Sequence, residues 1–329
     1  MNPHFLVTTS IPGPGLELLS EAGRVTVLPD PPSYEQLREL TSSGDFDVVL
    51  TQLRDAIDAD LLTDAKVKGV SNYAVGYNNI DVDAATSHGI QVGNTPGVLT
   101  DATADIAFAL LLGTARRIVE ADQFVRAGKF HGWEPDMLLG KDITGATLGL
   151  AGFGRIARAV AKRALGFGME VIFAPRPPAH REVSQEELGE FAGQVTQVRW
   201  EELIERSDYL SLHVPLTEQT THLVDSTVLK RMKDSAILIN TARGPVVEEA
   251  ALVSALRKGT IAGAGLDVFE DEPTLAPGLA QLPNTILLPH IGSATVAVRA
   301  EMSRLSALNA IAMAHGKRPP HLVNPEVFS

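Results

Sequence analysis

Short β-forming runs alternate with helix-patterned segments along the whole sequence, and few folds accept such an order. The runs are HFLVTTS, RVTVLP, DVVLTQ, VKGVSNYAV, TLGLAGFG, EVIFAP, YLSLHVP, AILINTA, GAGLDVF and TILLPH. Between them lie segments such as GLELLSEAG, RIARAVAKRALGFG and EEAALVSALRKG, with apolar residues at three- and four-residue spacing. A strand followed repeatedly by a helix predicts parallel sheets with helices on both faces, because parallel neighbours need a long crossover. Ten such runs are more than one sheet of this kind commonly needs. Two α/β domains are therefore expected, and 329 residues, 44% of them hydrophobic, suffice for two cores.

One strand-to-helix junction carries chemistry. GLAGFGRIARAVAKRALGFGMEVIFAPR places Gly152, Gly154 and Ala157 directly after an apolar strand and before an amphipathic helix. The first glycine permits a tight turn, the second lets the backbone approach a pyrophosphate, and small Ala157 lets helix and strand pack closely. The phosphates would meet the free N–H groups and positive dipole end of the helix. With a second strand following, the segment predicts dinucleotide binding; the bland reading is an ordinary tight turn.

Segment 100–130, TDATADIAFALLLGTARRIVEADQFVRAGKF, has a helical pattern long enough to link two domains and pack against a partner subunit. GKDITGATLGLAGFGR then opens a fresh strand, and a second long helical segment, ATVAVRAEMSRLSALNAIAMAHG, follows His290 and is expected to cross back. The expected organisation is discontinuous. Residues 1–99, completed by 291–329, form a substrate-binding domain, and residues 100–290 form the dinucleotide-binding domain.

Composition removes several functions. A net charge of −12 with no basic block disfavours a nucleic-acid partner. The absence of cysteine excludes disulfides, thiolate metal sites and cysteine nucleophiles, and no metal site is expected. MNPHFLVTTS lacks the pattern of a signal peptide, and ADIAFALLLGTA is too short for a hydrocarbon core of about 30 Å. The expectation is a cytoplasmic protein with no membrane partner.

Ligands of open parallel sheets sit outside the carboxyl ends of the strands. Three such ends in the second half carry suitable groups: AILINTA leads to Arg243, GAGLDVF runs on to Glu272, and TILLPH ends at His290. Singly each has a bland reading, as a cap, a solvated acidic turn or a core histidine. Together they suit a carboxylate-bearing substrate, since a guanidinium fork binds a carboxylate bidentately and a histidine moves protons near neutral pH. A carboxylate beside an imidazole orients it and favours its charged form. His4, His88, His131, His180, His222, His315 and His321 lack such a setting, and His213 in SLHVPLT is read as structural or beside the cofactor.

Taken in order, NYAVGYNNIDVDAA, NTPGVLTDATAD, GFGRIARAVAKRALGFGM, HVPLTEQT, NTARGPVV, GAGLDVFEDEP and LLPHIGSAT resemble the signature segments of the D-isomer-specific 2-hydroxyacid dehydrogenases. The resemblance spans nearly the whole chain and is strongest to the glyoxylate/hydroxypyruvate reductase branch. It implies two doubly wound parallel-sheet domains, Rossmann- and flavodoxin-like, with a cleft between them. It also implies NAD(P)-dependent reduction of glyoxylate or hydroxypyruvate to glycolate or D-glycerate, with Arg243, Glu272 and His290 as the catalytic set. Implied substrate contacts are Arg243, Leu53 and the backbone of Val75 and Gly76, with Met137 in WEPDMLLG as a gate against branched acids. Implied cofactor contacts, besides Gly152 and Gly154, are Thr103, Phe153, Arg155, Ile156, Pro175, Arg176, Pro177, Val214, Pro215, Thr220, Thr241, Ala242, Asp267, His290 and Gly292.

NAD enzymes of this fold place an acid at the end of the second strand, to hold the ribose hydroxyls. Here that position is Pro175, followed by Arg176, a cation suited to the 2′-phosphate of NADP. NADP(H) is the expected preference, with NAD(H) as the alternative. A homodimer through the cofactor domain is expected, because ADIAFALLLGTARRI carries more apolar surface than one helix face buries. Formate dehydrogenases have glutamine where Glu272 stands, and many phosphoglycerate dehydrogenases carry a further regulatory domain. A broader D-2-hydroxyacid or phosphoglycerate-type dehydrogenase stays open, as does a non-enzymatic dinucleotide-sensing corepressor.

Overall fold

The computed structural model describes residues 2–328. They divide into two compact units, one comprising the chain up to Leu99 together with the stretch from Ala294, the other Thr100–Ser293. Each unit is a parallel sheet between helices.

The first unit contains β1 (His4–Val7), β2 (Arg24–Val27), β3 (Val48–Thr51), β4 (Gly69–Asn72) and β5 (Gln91–Gly93). Its helices are α1 (Gly15–Ala22), α2 (Tyr34–Ser42), α3 (Ala59–Asp64) and α4 (Val82–Ser87). The strand order is β2-β1-β3-β4-β5, all parallel. That is the flavodoxin-like order, with its reversal between β1 and β3. Every residue of β3 and β4 is buried, so VVLT reads as continuous rather than alternating. Ser33, Asp58 and Asp81 accept backbone N–H groups at the starts of α2, α3 and α4, which explains where those helices begin.

The second unit contains β6 (Thr147–Ala151), β7 (Glu170–Ala174), β8 (Thr196–Gln197), β9 (Tyr209–Leu212), β10 (Ile237–Asn240), β11 (Gly263–Leu266) and β12 (Thr285–Leu287). Its helices are α5 (Thr100–Ala115), α6 (Ile118–Arg126), α7 (Arg155–Gly166), α8 (Gln185–Leu188), α9 (Trp200–Arg206), α10 (Ser226–Arg231) and α11 (Glu249–Lys258). The order β12-β11-β10-β9-β6-β7-β8 is a Rossmann sheet with one added edge strand, and its reversal lies between β6 and β9. The last long helix, α12 (Val296–Ala314), returns to the first unit, where it packs on α1, β3 and β4.

Three expectations need correction. Twelve strands form rather than ten; the two unread ones, β5 and β8, are three and two residues long and carry too little pattern to register. The helical segment 100–130 is two helices, because Arg117 adopts φ 53° and breaks the run between α5 and α6. The apolar surface of α5 is buried in its own unit: Ala104, Ala107, Phe108, Leu110 and Leu111 join the core against α7, β10 and β11. A helix that is apolar all round is a buried helix, so α5 does not argue for a partner subunit. Among the described residues no helix is long and apolar enough to cross a membrane.

Candidate active site

The residues singled out from the sequence in the second unit fall largely at the carboxyl ends of its strands. Gly152–Gly154 follow β6, Pro175 and Arg176 follow β7, and His213–Pro215 follow β9. Thr241–Arg243 follow β10, Asp267 follows β11, and His290 comes three residues after β12. Strand order thus collects them along the edge where such sheets bind ligands.

The glycine loop fits a dinucleotide. Gly152 has φ 93°, and a Cβ there would lie 2.7 Å from the His213 carbonyl oxygen, so only glycine passes. A Cβ on Gly154 would meet nothing within 4 Å, leaving open space in front of the backbone that a pyrophosphate approaches. Gly154 is also the N-cap of α7, and no side chain occupies its N-terminal N–H groups. Ala157 is fully buried between α7 and β6, as the small third residue requires. Phe153 stacks on Phe173 with ring centroids 4.0 Å apart, so its ring belongs to the core and only its backbone faces the loop. Arg155 and Ile156 open α7, the first exposed and the second half-buried.

Arg176 is exposed and makes no ion pair among the described residues; it is flanked by half-buried Pro175 and buried Pro177. The Thr241 hydroxyl is buried with no hydrogen-bond partner among the described residues, which leaves a polar group unsatisfied beside Arg243. Thr220 turns its own loop, donating to the Pro215 carbonyl at 2.6 Å, and Val214 is buried beside it. His213 is held by Ser211 at 2.9 Å, and burial pushes its imidazole down to about 3.

Three turns present Arg243, Glu272 and His290, the candidate catalytic residues. Asn240 at the end of β10 donates to the Arg243 carbonyl at 2.9 Å and accepts from Ala242 N–H at 3.0 Å, shaping the turn that presents Arg243. Burial draws the Arg243 guanidinium below its ordinary value, and the Glu272 carboxylate works against that shift. Glu272 accepts from Phe269 N–H at 3.1 Å through one oxygen and faces His290 Nδ1 at 2.9 Å through the other. Burial pushes the Glu272 carboxyl up, but His290, Phe269 N–H and Arg243 together bring it below its usual range. His290 itself sits at φ 55°, unusual for a residue with a side chain.

That backbone has an identifiable cause. The Asp267 carboxylate is buried and accepts from Ile291 N–H and Gly292 N–H, each at 2.7 Å, pinning the chain just beyond His290. Burial raises the Asp267 carboxyl even against those two donors. Thr103 in the first turn of α5 closes the cluster by donating to the Gly292 carbonyl at 3.2 Å. Asp267 and Thr103 therefore brace the His290 turn.

In the first unit, the loop after β4 has its carbonyls tied inward. Ala74 O accepts from Thr95 N–H at 2.9 Å, Val75 O from Asn94 Nδ2 at 2.8 Å, and Gly76 O from Asn72 Nδ2 at 3.0 Å. The amides of Val75 and Gly76 donate to nothing among the described residues. Asn79 joins this loop to the one bearing half-buried Leu53, donating to Gln52 O at 3.1 Å and Asp55 O at 2.9 Å. Asn72 and Asn79 carried no functional signal beyond their place in NYAVGYNNID, nor Asn94 beyond its place in NTPGVLTDATAD.

Met137 is half-buried, and its N–H donates to the Glu134 carbonyl at 3.3 Å. One sequence reading changes. His222 does have an acidic partner: its Nε2 lies 2.5 Å from Glu270. The two residues are 48 apart in sequence, so no local pattern could show the pair.

Residues 108–292 match the family model described as the D-isomer-specific 2-hydroxyacid dehydrogenase, NAD-binding domain. The chain is 48% identical over its full length to a glyoxylate reductase of Thermococcus litoralis, covering 99% of that protein. It is 49% identical to one of Korarchaeum cryptofilum, with 99% of this chain and 97% of that one covered. The structure of an NADPH-dependent glyoxylate/hydroxypyruvate reductase from Sinorhizobium meliloti, with NADP and malonate, superposes with a TM-score of 0.86 at 35% identity, covering 99% of this chain and 98% of that one. With a nicotinamide-dinucleotide domain and full-length similarity of this depth, the chain belongs to the D-isomer-specific 2-hydroxyacid dehydrogenases, NAD(P)-dependent oxidoreductases.

Proposed function

We propose that this enzyme reduces glyoxylate and hydroxypyruvate to glycolate and D-glycerate, prefers NADPH, and works as a homodimer. The observation that carries the chemistry is the 2.9 Å pairing of Glu272 with His290 Nδ1. It leaves Nε2 as the nitrogen that gives a proton to the carbonyl oxygen. The bound cofactor supplies the hydride that adds to the carbonyl carbon. Arg243 binds the substrate carboxylate and polarises the carbonyl, and Glu272 orients the imidazole that must donate. Val75 and Gly76, whose amides donate to nothing among the described residues, are proposed to bind the carboxylate too, with Leu53 and Met137 as pocket residues.

The relatives named glyoxylate reductase support the substrate. Exposed Arg176, directly after Pro175 at the position where an NAD enzyme has its acid, supports NADPH. The test is a panel of glyoxylate, hydroxypyruvate, pyruvate and a branched 2-keto acid with NADPH and NADH. Fastest turnover is expected for the first two with NADPH. Arg176→Ala is expected to lose on the order of ten- to a hundredfold in kcat/KM with NADPH, the worth of a charge-assisted hydrogen bond, and far less with NADH. Turnover of none of the acids would favour the corepressor reading. Faster branched substrates, or a wild type preferring NADH, would overturn the specificity.

A further inference from the structure

Glu272 lies on the segment 269–276, and a second carboxylate holds that segment from behind. Glu249, the first residue of α11, is buried, with 3% of its surface exposed. Its carboxylate does not cap its own helix. One oxygen accepts from Glu270 N–H at 2.8 Å and the other from Ala276 N–H at 2.9 Å. These two donors flank Glu272. Glu270 returns the contact, accepting from Glu249 N–H at 3.0 Å through one oxygen and facing His222 Nε2 at 2.5 Å through the other.

The same segment is pressed against the Arg243 turn. A Cβ on Gly244 would lie 1.7 Å from the Phe269 carbonyl oxygen, so glycine alone allows the two backbones to meet there. His222 N–H donates to the Pro245 carbonyl at 2.8 Å, which ties its loop to that turn. Segments 222–224, 243–249 and 269–276 thus form one knit, with Glu249 as its only carboxylate spanning both sides of Glu272 among the hydrogen bonds of the described residues.

We infer that Glu249 is a positioning residue for the reaction: it fixes the 269–276 segment so that Glu272 meets His290, and the His222–Glu270 pair secures it. The inference rests on the role proposed for Glu272. A carboxylate accepts through both oxygens, whereas an amide turns an NH2 toward one of the two buried N–H groups. Glu249→Gln therefore breaks half of the clamp while keeping size and shape.

The experiment measures kcat, KM, NADPH binding and the pH–rate profile for Glu249→Gln, Glu272→Gln and the double variant. Glu249→Gln is expected to lower kcat about ten- to a hundredfold with NADPH binding unchanged, the loss of one charge-assisted hydrogen bond. It is also expected to move the alkaline limb of the profile in the same direction as Glu272→Gln. The double variant is expected to be no slower than Glu272→Gln alone, because both changes remove one function. Additive losses, or a Glu249→Gln profile like wild type beside a shifted Glu272→Gln profile, would overturn the inference. If Glu272→Gln itself leaves the profile unchanged, the proposed mechanism fails first. Should Glu249→Gln fail to fold, His222→Asn carries the test at a more exposed site whose φ of 53° asparagine tolerates. The same non-additivity with Glu272→Gln is then expected, and additivity overturns the inference.

Discussion

His290 combines two features that rarely coincide without function: a left-handed backbone and a carboxylate partner at 2.9 Å. Its neighbours explain how the chain holds it there, since Asp267 takes the next two N–H groups. Replacing either His290 or Arg243 with alanine is expected to lower kcat/KM by about 10²–10⁴, the usual worth of a positioned proton donor or carboxylate anchor. NADPH affinity, followed by fluorescence titration, should change little, because the glycine loop and α7 are untouched. His290→Asn separates chemistry from strain: asparagine accepts φ 55° yet supplies no comparable proton donor, so it should be as inactive as alanine but more stable. Near-normal turnover in His290→Asn would remove His290 from the mechanism. At this scale the sequence was informative about the candidate site residues and silent about the contacts that hold them. Arg243, Glu272 and His290 stood in recognisable strand-end contexts, whereas Glu249 and Asn79 act through contacts no local pattern encodes.

The elements around the glycine loop fix its packing and carry a pH signature. The turn after β6 packs against the end of β9, where His213 N–H donates to the Ala151 carbonyl at 2.8 Å and its own carbonyl faces Gly152. Burial holds the His213 imidazole at about 3 against an ordinary 6.5. A base whose folded value is depressed binds fewer protons than the unfolded chain does between those limits, so stability rises with pH there. This contribution is complete above pH 6.5 and is lost as pH falls toward 3. Thermal denaturation between pH 7 and 4 should therefore show a smaller loss of Tm for His213→Gln than for wild type, and parallel curves would refute the assignment. The strands that carried this argument were legible because each has four or five residues dominated by apolar and β-forming types. The break between α5 and α6 was not, since it depends on Arg117 taking a backbone conformation that arginine rarely adopts.

Over the molecule as a whole, the order of strands and helices was readable because each parallel neighbour demands a crossover, and the two sheets follow the two doubly wound orders. The apolar turns of α5 are used up inside their own unit and give no grounds for a dimer. A different surface takes over that argument. Of the eleven exposed large hydrophobic side chains among the described residues, six lie within 118–139: Ile118, Val119, Val125, Phe130, Trp133 and Leu139. Trp133 is 82% exposed and Leu139 66%, values that a monomer seldom tolerates in one short stretch. Because α6 buries none of its residues, its apolar side chains await an external surface. A second copy of the chain is the simplest occupant, since closed two-fold pairing is the commonest assembly of identical chains. Light scattering at micromolar concentration is expected to give twice the 35.1 kDa chain mass. Val125→Glu combined with Trp133→Glu should shift the population toward monomer, since each change would bury an unpaired charge at the interface. A monomer mass for the wild-type protein, or a dimer indifferent to both charges, would place the function of this surface elsewhere.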